Sequence, residues 1–336
     1  MKAIVFDQCG DPAEVLQLRE VPAPRPGPGQ VRVRMLASPI NPSDLLYIRG
    51  HYGKPPPLPA TPGFEGVGVV EESGGGWLAR FVMGKRVAVI NRATGNWREQ
   101  VVVPARQAIP VPEDIPLEQA ATFFVNPASA VVMTRNVLRI PRGAWLMQTA
   151  AGSALGRMII RLGKEHGFRT MNVVRRRDQG EELLRLGADA VICSSDESVP
   201  ERAMALTNGA GVPFAIDAVG GKSGSDAVLA LGMHGRMLVY GTLSMDPLSI
   251  DPRVLMVNHR TVEGFWLSEW AGRQNVATML MLIRRIRHLM RAGVLISEVG
   301  STFGLDQINE AVRLAAAPGR QGKVLLKIAP NHSSPK

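Results

Sequence analysis

The stretch Trp145-Leu146-Met147-Gln148-Thr149-Ala150-Ala151-Gly152-Ser153-Ala154-Leu155-Gly156 decides the fold of this chain. Its apolar start, together with Ala144, predicts a strand over 144–148, and helical spacing of apolar residues predicts a helix over 155–166. Small residues in the turn between them let the backbone approach a pyrophosphate, to which the helix N-terminus presents N–H groups. The glycine positions of the G-x-G-x-x-G pattern fall on Ala151, Ser153 and Gly156, so only the third glycine is present. We therefore predict that a dinucleotide binds the backbone of Ala151, Gly152, Ser153, Ala154, Leu155 and Gly156; alternatively, the turn serves helix–sheet packing alone.

Strands and helices alternate in the sequence that follows this turn. Strands are predicted at 170–174, 190–192, 214–217 and 236–240, with helices at 181–186 and 227–231. Such alternation predicts a doubly wound parallel sheet, which binds its ligand at the carboxyl ends of the strands. Backbone contacts to the cofactor are accordingly expected from Val219, Gly220, Tyr240, Gly241 and Thr242.

The end of the second predicted strand points to the type of dinucleotide. An NAD site places an Asp or Glu about twenty residues after the glycine turn to bind the ribose 2′-hydroxyl. Here the chain reads Val173-Val174-Arg175-Arg176-Arg177. Guanidinium groups suit a 2′-phosphate through charge-assisted hydrogen bonds, so Arg175, Arg176 and Arg177 predict NADPH. The alternative is a solvated run at a strand end, and Asp178 directly after the run leaves it open.

Residues 1–110 are β-rich, and the pattern changes after them. Short β-branched runs at 31–35, 66–70, 86–90 and 99–103 are separated by Pro, Gly, Asn and Asp, which predicts a partly open antiparallel barrel. The proline-rich segments 21–29 and 54–62 are predicted as loops. Helical patterning covers 117–138, 274–292 and 306–314, a closing strand is predicted at 323–328, and the residues after 328 are expected to be loose. The fold class is therefore α/β.

Composition limits the classes of protein to which the chain can belong. Its 336 residues suggest two domains, and 45% apolar with 20% charged residues exclude a disordered chain. No run approaches the roughly 18 apolar residues of a membrane span, and no export signal is evident, so we expect a cytoplasmic protein that binds no membrane. The two cysteines, Cys9 and Cys193, form no metal or disulfide pattern.

The formal net charge is +10, which suits nucleic acid, anionic lipid or an anionic substrate and cofactor. One basic cluster lies within 284–291. Apolar residues recur there at helical spacing, so the cluster is predicted to be a solvated helix face. No RNA-reading motif is present and aromatic residues are 5%, so nucleic acid is not expected as a partner.

The chain resembles the medium-chain dehydrogenase/reductase superfamily over nearly its whole length. The resemblance is carried by Asn41-Pro42-Ser43-Asp44, Pro62-Gly63-Phe64-Glu65-Gly66-Val67-Gly68 and Asp217-Ala218-Val219-Gly220-Gly221. It implies a GroES-like catalytic domain over 1–120, a Rossmann domain that binds NADPH over 121–264, and a return to the catalytic domain over 265–336. It also implies a homodimer formed through about 248–262.

Zinc members of this superfamily carry a Cys before Ser-Asp and a His before Glu. Here Pro42 precedes Ser43-Asp44, and Phe64 stands at the position of the His. A catalytic zinc needs three protein ligands, and Glu65 alone remains, so no metal is predicted and Glu65 is expected to be structural.

Within the zinc-free branch, the chain is similar to trans-2-enoyl-thioester reductases. The features are Gly50-His51-Tyr52-Gly53, the glycine-poor cofactor turn and Gly264-Phe265-Trp266-Leu267-Ser268-Glu269-Trp270. The resemblance implies that Tyr52 acts in catalysis and that Trp266 lies beside it, with Phe265 and Trp266 near the cofactor. One departure is Gly152, where these reductases usually have Asn. The alternatives are that Tyr52 caps a loop and that Trp266 packs between domains.

The implied reaction reduces a small molecule that carries an activated C=C bond. Hydride reaches the β-carbon, and a tyrosine hydroxyl can donate a hydrogen bond to the enolate oxygen. Asn41 and Ser43 either touch the substrate or build a turn before Asp44. Lys323 is expected at the surface, and the alternative is that it approaches the cofactor from the returning segment. Two alternatives to an enoyl-thioester reductase stay open: an NADPH:quinone or enone reductase, and an NADPH-binding protein that binds nucleic acid.

Overall fold

The computed structural model describes residues 1–91 and 93–329, and its strands and helices follow the chain in this order. The strands are β1 (Lys2–Val5), β2 (Gln17–Glu20), β3 (Gln30–Pro39), β4 (Glu65–Ser73), β5 (Arg86–Ile90), β6 (Gln100–Pro104), β7 (Ala108–Pro110), β8 (Trp145–Gln148), β9 (Arg169–Val174), β10 (Ala190–Cys193), β11 (Val212–Asp217), β12 (Leu231–Val239), β13 (Thr261–Gly264), β14 (Val299–Phe303) and β15 (Lys323–Lys327). The α-helices are α1 (Pro12–Val15), α2 (Pro42–Ile48), α3 (Trp77–Val82), α4 (Leu117–Ala121), α5 (Val125–Val131), α6 (Ala154–His166), α7 (Arg177–Leu186), α8 (Val199–Leu206), α9 (Gly221–Leu229), α10 (Pro252–Val257), α11 (Leu267–Gly272), α12 (Val276–Arg291) and α13 (Ile308–Ala316). Short 3-10 helices span Ala105–Gln107 and Leu305–Gln307, and a π-helix spans Val132–Val137.

The chain divides into two units, of which the first joins both chain ends. The first unit is Met1–Val125 with Ser297–Lys336, and the second is Asn126–Ile296. The predicted return to the catalytic domain at 265 differs from this division, because 265–296 belongs to the second unit. There the Ile296 carbonyl accepts a hydrogen bond from Arg161 of α6 at 3.2 Å. The prediction for the tail concerns the residues after 328, and those from 330 onward lie outside the described ranges.

A six-stranded parallel sheet forms the centre of the second unit. Its strand order is β10-β9-β8-β11-β12-β13, and every neighbouring pair is parallel. Counted from β8 this order is 3-2-1-4-5-6, the order of dinucleotide-binding sheets. The chain reverses its direction of winding at β8, which pairs with both β9 and β11. The predicted doubly wound sheet is confirmed, and its switch point lies at the carboxyl end of β8.

The first unit is built on a seven-stranded sheet around the long strand β3. The order is β14-β15-β3-β4-β5-β7, and β6 also pairs with β3. Pairing is antiparallel throughout except between β14 and β15. Fully buried Trp97 lies in its core with residues of β1, α2, α13 and β15. The predicted β-rich, GroES-like barrel is confirmed.

The predicted helix over 117–138 is interrupted. The chain forms α4, leaves the helical conformation at 122–124, and then forms α5, which continues into a π-helix. Pro127 is the reason, because proline is tolerated only in the first turn of a helix. A new helix therefore has to begin just before it, and α5 begins at Val125.

Helix α12 has the two faces that its sequence predicts. Leu282, Ile286, Leu289 and Met290 are buried. Arg284, Arg285, His288 and Arg291 are exposed on the other side. The basic cluster is therefore a solvated helix face.

Candidate active site

Tyr52 stands at the end of a row of aromatic side chains in the first unit, made of Phe6, Tyr47, Phe64 and Tyr52. The ring centroids of Tyr52 and Phe64 are 5.3 Å apart, and those of Phe64 and Tyr47 are 5.2 Å apart. Tyr47 in turn contacts Phe6 edge to face at 5.9 Å. Phe64 is buried, whereas Tyr52 is half-buried. The row thus fixes the ring of Tyr52 against the core, in the favourable geometry of paired aromatic rings.

The loop that carries Tyr52 depends on glycine. Gly50 and Gly53 have φ angles of +77° and +72°, which side chains rarely adopt. A Cβ on Gly50 would also lie 3.1 Å from Cys9 Sγ. Both glycines therefore turn the chain so that Tyr52 faces Phe64.

A cluster of buried polar residues lies next to Phe64. It contains Asn41, Asp44, Glu65 and Lys323. Asp44 accepts hydrogen bonds from the backbone N–H of Asn41 at 2.8 Å and of Phe64 at 3.0 Å. Glu65 accepts from Asn41 Nδ2 at 3.0 Å and from the Val125 N–H at 2.9 Å. Lys323 Nζ donates to Asn41 Oδ1. Burial raises the pKa of Asp44 to about 7 and lowers the pKa of Lys323.

This cluster bears on several of the sequence predictions. Glu65 accepts hydrogen bonds from the Asn41 side chain and the Val125 backbone, which agrees with the structural role expected for it. Lys323 is 4% exposed, so the expectation of a surface lysine is wrong; strand β15 carries it into the core. Asn41 precedes α2 and has both ends of its amide bonded within the protein, which favours its structural alternative. Ser43 is half-buried in the first turn of α2.

Replacing Lys323 by methionine is expected to destabilise the protein by about 3–5 kcal/mol, because it removes the buried positive charge that interacts with the buried carboxyl groups of Glu65 and Asp44. The variant leaves Glu65 and Asp44 buried without their cation. The free energy of unfolding in denaturant measures the effect. Lys327→Met is the matched control, because Lys327 is an exposed lysine of the same strand. Equal losses in the two variants would contradict a stabilising role for the buried ammonium group.

The turn between β8 and α6 has the geometry of an anion site. Ser153 caps α6, and its Oγ accepts from the Gly156 N–H at 3.1 Å. A Cβ on Gly156 would lie 2.3 Å from the Ala151 carbonyl oxygen, so the helix can approach the turn only with glycine there. Gly152 has more room, since a Cβ would meet only Gln179 at 3.5 Å. The first N–H groups of α6 have no partner within the helix, which fits a pyrophosphate.

The three consecutive arginines after β9 differ in their partners. Arg176 binds Asp178 at 3.0 Å, and Arg177 binds Asp196 at 3.1 Å. Arg175 forms no ion pair with any carboxylate of residues 1–91 or 93–329. All three side chains are exposed. Arg175 is therefore the guanidinium most available to an anionic ligand.

The other predicted cofactor residues lie at neighbouring strand ends of the second unit. The Leu243 and Ser244 N–H groups donate to the carbonyls of Ala218 and Val219 at 3.1 and 2.9 Å, which ties the segment after β12 to the one after β11. A Cβ on Gly241 would lie 2.7 Å from the Ala218 carbonyl oxygen. The structure thus brings together Val219, Gly220, Tyr240, Gly241 and Thr242.

The segment after β13 continues this row of strand ends. The Phe265 N–H donates to the Val239 carbonyl at 2.8 Å, next to the end of β12. Trp266 follows directly before α11 and is 41% exposed. Phe265 and Trp266 therefore belong to the same edge of the sheet as the other predicted cofactor residues.

Two residues of this edge were missed as individual site residues, Thr149 and Asp217. Thr149 belongs to the cofactor turn, and Asp217 ends β11. Their hydroxyl and carboxylate are hydrogen bonded at 2.6 Å although they lie 68 positions apart. The motif around Asp217 was the only sequence signal for it.

The residues at the place of a zinc site do not fit a metal. Phe64 supplies no donor atom, and the Glu65 carboxylate is occupied by Asn41 and by backbone N–H groups. Across the part of the chain that the structure describes, no three His, Cys, Asp or Glu side chains are grouped so that they could hold a metal ion.

None of the helices in the described ranges has both the length and the apolar character needed to cross a membrane.

Two family models match the chain, one for each type of domain. Residues 27–113 match the alcohol dehydrogenase GroES-like domain, and residues 154–285 match the family described as zinc-binding dehydrogenase. The second match concerns the nucleotide-binding half, and the donor atoms described above do not form a zinc site.

Similar proteins cover nearly the whole chain. The mitochondrial enoyl-[acyl-carrier-protein] reductase of Rattus norvegicus is 33% identical over 322 residues, which is 95% of this chain and 86% of the rat protein. The human reductase of the same name is 33% identical over 97% of this chain and 88% of its own length. A crystal structure from Bacillus thuringiensis, described as an NADPH:quinone reductase, is 34% identical with a TM-score of 0.90 and covers 97% of this chain and 98% of its own.

Proposed function

This chain belongs to the zinc-free branch of the medium-chain dehydrogenase/reductase superfamily, and from that premise we propose that it reduces the C=C bond of trans-2-enoyl thioesters. It is an NADPH-dependent reductase of this superfamily. The thioester is supported by the names of the rat and human relatives, which are enoyl-[acyl-carrier-protein] reductases. The single observation that carries the proposal is the position of Tyr52, whose ring contacts Phe64, the residue at the place of the zinc-binding His.

NADPH is the cofactor, and residues of the second unit fit its groups. The N-terminus of α6, capped by Ser153, suits the pyrophosphate. The guanidinium of Arg175 suits the 2′-phosphate. The strand ends at Val219, Tyr240 and Phe265 are proposed to hold the ribose and nicotinamide half.

When bound, NADPH supplies the hydride that adds to the β-carbon of the substrate. Negative charge then develops on the thioester carbonyl oxygen as the enolate forms. We assign the Tyr52 hydroxyl as the hydrogen-bond donor to that oxygen and as the source, directly or through water, of the proton that reaches the α-carbon. Trp266 is proposed to border the nicotinamide with its apolar ring, and Asn41 holds Glu65, the first residue of β4, which directly follows Phe64.

A substrate comparison tests the proposal. NADPH consumption is followed with crotonyl-CoA, longer trans-2-enoyl-CoAs, an enoyl thioester on acyl carrier protein, and 1,4-benzoquinone. The expected result is a kcat/KM for the thioesters well above that for the quinone, with a saturated acyl-CoA as the unreactive control. Reduction of quinone alone would overturn the thioester proposal and would favour the second candidate, a quinone reductase, as which the Bacillus thuringiensis protein is described.

One alternative function and two further predictions stay open. A nucleic-acid role would require RNA binding with a steep salt dependence, and RNA binding tested across salt concentrations decides it.

The homodimer through 248–262 would use the outer edge of β13, the last strand of the parallel sheet. A cytoplasmic location also stays a prediction, since the rat and human relatives are mitochondrial by name.

A further inference from the structure

Asp217 is a buried carboxylate at the end of β11 that the reaction itself does not use. It is fully buried. Its Oδ1 accepts from Thr149 Oγ1 at 2.6 Å and from the Val219 N–H at 3.0 Å, and its Oδ2 accepts from the Gly220 N–H at 2.9 Å. No ion pair joins it to a lysine or arginine of the described residues. A carboxylate held in the core by neutral donors alone is unusual, because burying a charge requires strong compensation.

The hydrogen bonds of Asp217 join two turns that are far apart in sequence. Thr149 lies in the turn between β8 and α6, and its Oγ1 also accepts from the Ala218 N–H at 3.0 Å. Val219 and Gly220 form the turn between β11 and α9. One side-chain pair, Thr149 and Asp217, thus fixes both turns to each other at the carboxyl edge of the sheet.

The connection extends to β12. The Asp217 carbonyl accepts from the Tyr240 N–H at 2.8 Å, and the Val219 carbonyl accepts from the Ser244 hydroxyl and N–H, each at 2.9 Å. Room for the carboxylate is kept by Gly224 of α9, where a Cβ would lie 2.5 Å from Asp217 Oδ2. The ends of β8, β11 and β12 are therefore tied together around one carboxylate.

We propose that the Thr149–Asp217 pair positions the two turns that bind NADPH. The pair sets the distance between the turn that binds the pyrophosphate and the turn that binds the nicotinamide half. This inference rests on the cofactor assignment in the proposed function. Neither side chain needs to touch the cofactor. Both act through the backbone of the residues that do, because a dinucleotide binds strongly only when its two halves are met at a fixed spacing.

Binding of NADPH without substrate tests the proposal. Thr149→Val removes the hydroxyl while it keeps the shape of the side chain, and Asp217→Asn removes the charge. Each is expected to raise the Kd for NADPH by about tenfold or more, as expected for losing a hydrogen bond to a charged group. The double variant is expected to have about the same Kd for NADPH as the weaker-binding single variant, since both substitutions remove the same link. Thr149→Ser keeps the hydroxyl and is expected to restore wild-type affinity.

Thr207→Val is the matched control. Its hydroxyl donates to the Ala203 carbonyl of α8 at 2.7 Å and accepts from the N–H of Gly211, just before β11, at 2.9 Å. It should lower the melting temperature without changing the Kd for NADPH. An unchanged Kd in folded Thr149→Val, or an equal rise in Thr207→Val, would overturn the proposal. The experiment measures cofactor binding without substrate. The positioning proposal can therefore be tested even if the protein does not reduce thioesters.

Discussion

Replacing Tyr52 by phenylalanine is expected to lower kcat for enoyl-thioester reduction by about 10²–10³-fold, the usual effect of losing one donor to a developing oxyanion. The ring remains, so its contact with Phe64, at 5.3 Å between the ring centroids, is kept, and the fold should be unaffected. Loss of the hydroxyl leaves the carbonyl oxygen without its donor in the transition state. Steady-state kinetics with crotonyl-CoA measures the effect, and the Kd for NADPH should not change.

Tyr47→Phe is the control for this prediction. Tyr47 belongs to the same aromatic row and is half-buried, and burial raises the pKa of its hydroxyl. Its removal should leave kcat nearly unchanged. A fully active Tyr52→Phe variant, or an equal loss in Tyr47→Phe, would show that Tyr52 is not the donor.

Replacing Arg175 by alanine is expected to weaken NADPH binding by about 10–100-fold, as for losing hydrogen bonds between charged groups. NADH carries no 2′-phosphate, so its affinity should stay the same and the preference for NADPH should shrink by the same factor. Comparison of kcat/KM for the two cofactors in the variant and the parent protein measures this ratio.

Arg176→Ala and Arg177→Ala are the matched controls for Arg175. Their guanidinium groups bind Asp178 and Asp196, so less of their charge is available to a ligand. Each is expected to change the cofactor ratio less than Arg175→Ala does. If the ratio stays constant in Arg175→Ala while one of the neighbours lowers it, the 2′-phosphate is bound by that neighbour.

The sequence by itself determined the fold of the nucleotide-binding half of this protein and the class of its cofactor. The strand, turn and helix around Gly152 are predicted by local signals, because apolar spacing and small residues both act within a few residues. The arginines after β9 are equally local, and the alternation of strands and helices predicts a parallel, doubly wound sheet, whose strand order 3-2-1-4-5-6 comes from the structure. One local signal was overlooked, since Pro127 within the pattern 117–138 indicates the start of a new helix.

Only the tertiary structure decided which polar residues are buried together. The sequence predicts Lys323 at the surface, yet its ammonium group donates a hydrogen bond to Asn41, 282 positions away. Asp217 meets Thr149 across 68 positions, and Phe64, whose ring contacts Tyr52, is held through its backbone N–H by Asp44. Such contacts depend on which strands become neighbours in a sheet, and periodicity along the chain carries no information about that. The chain therefore encodes its elements locally, while the environment of each site residue arises from strand pairing.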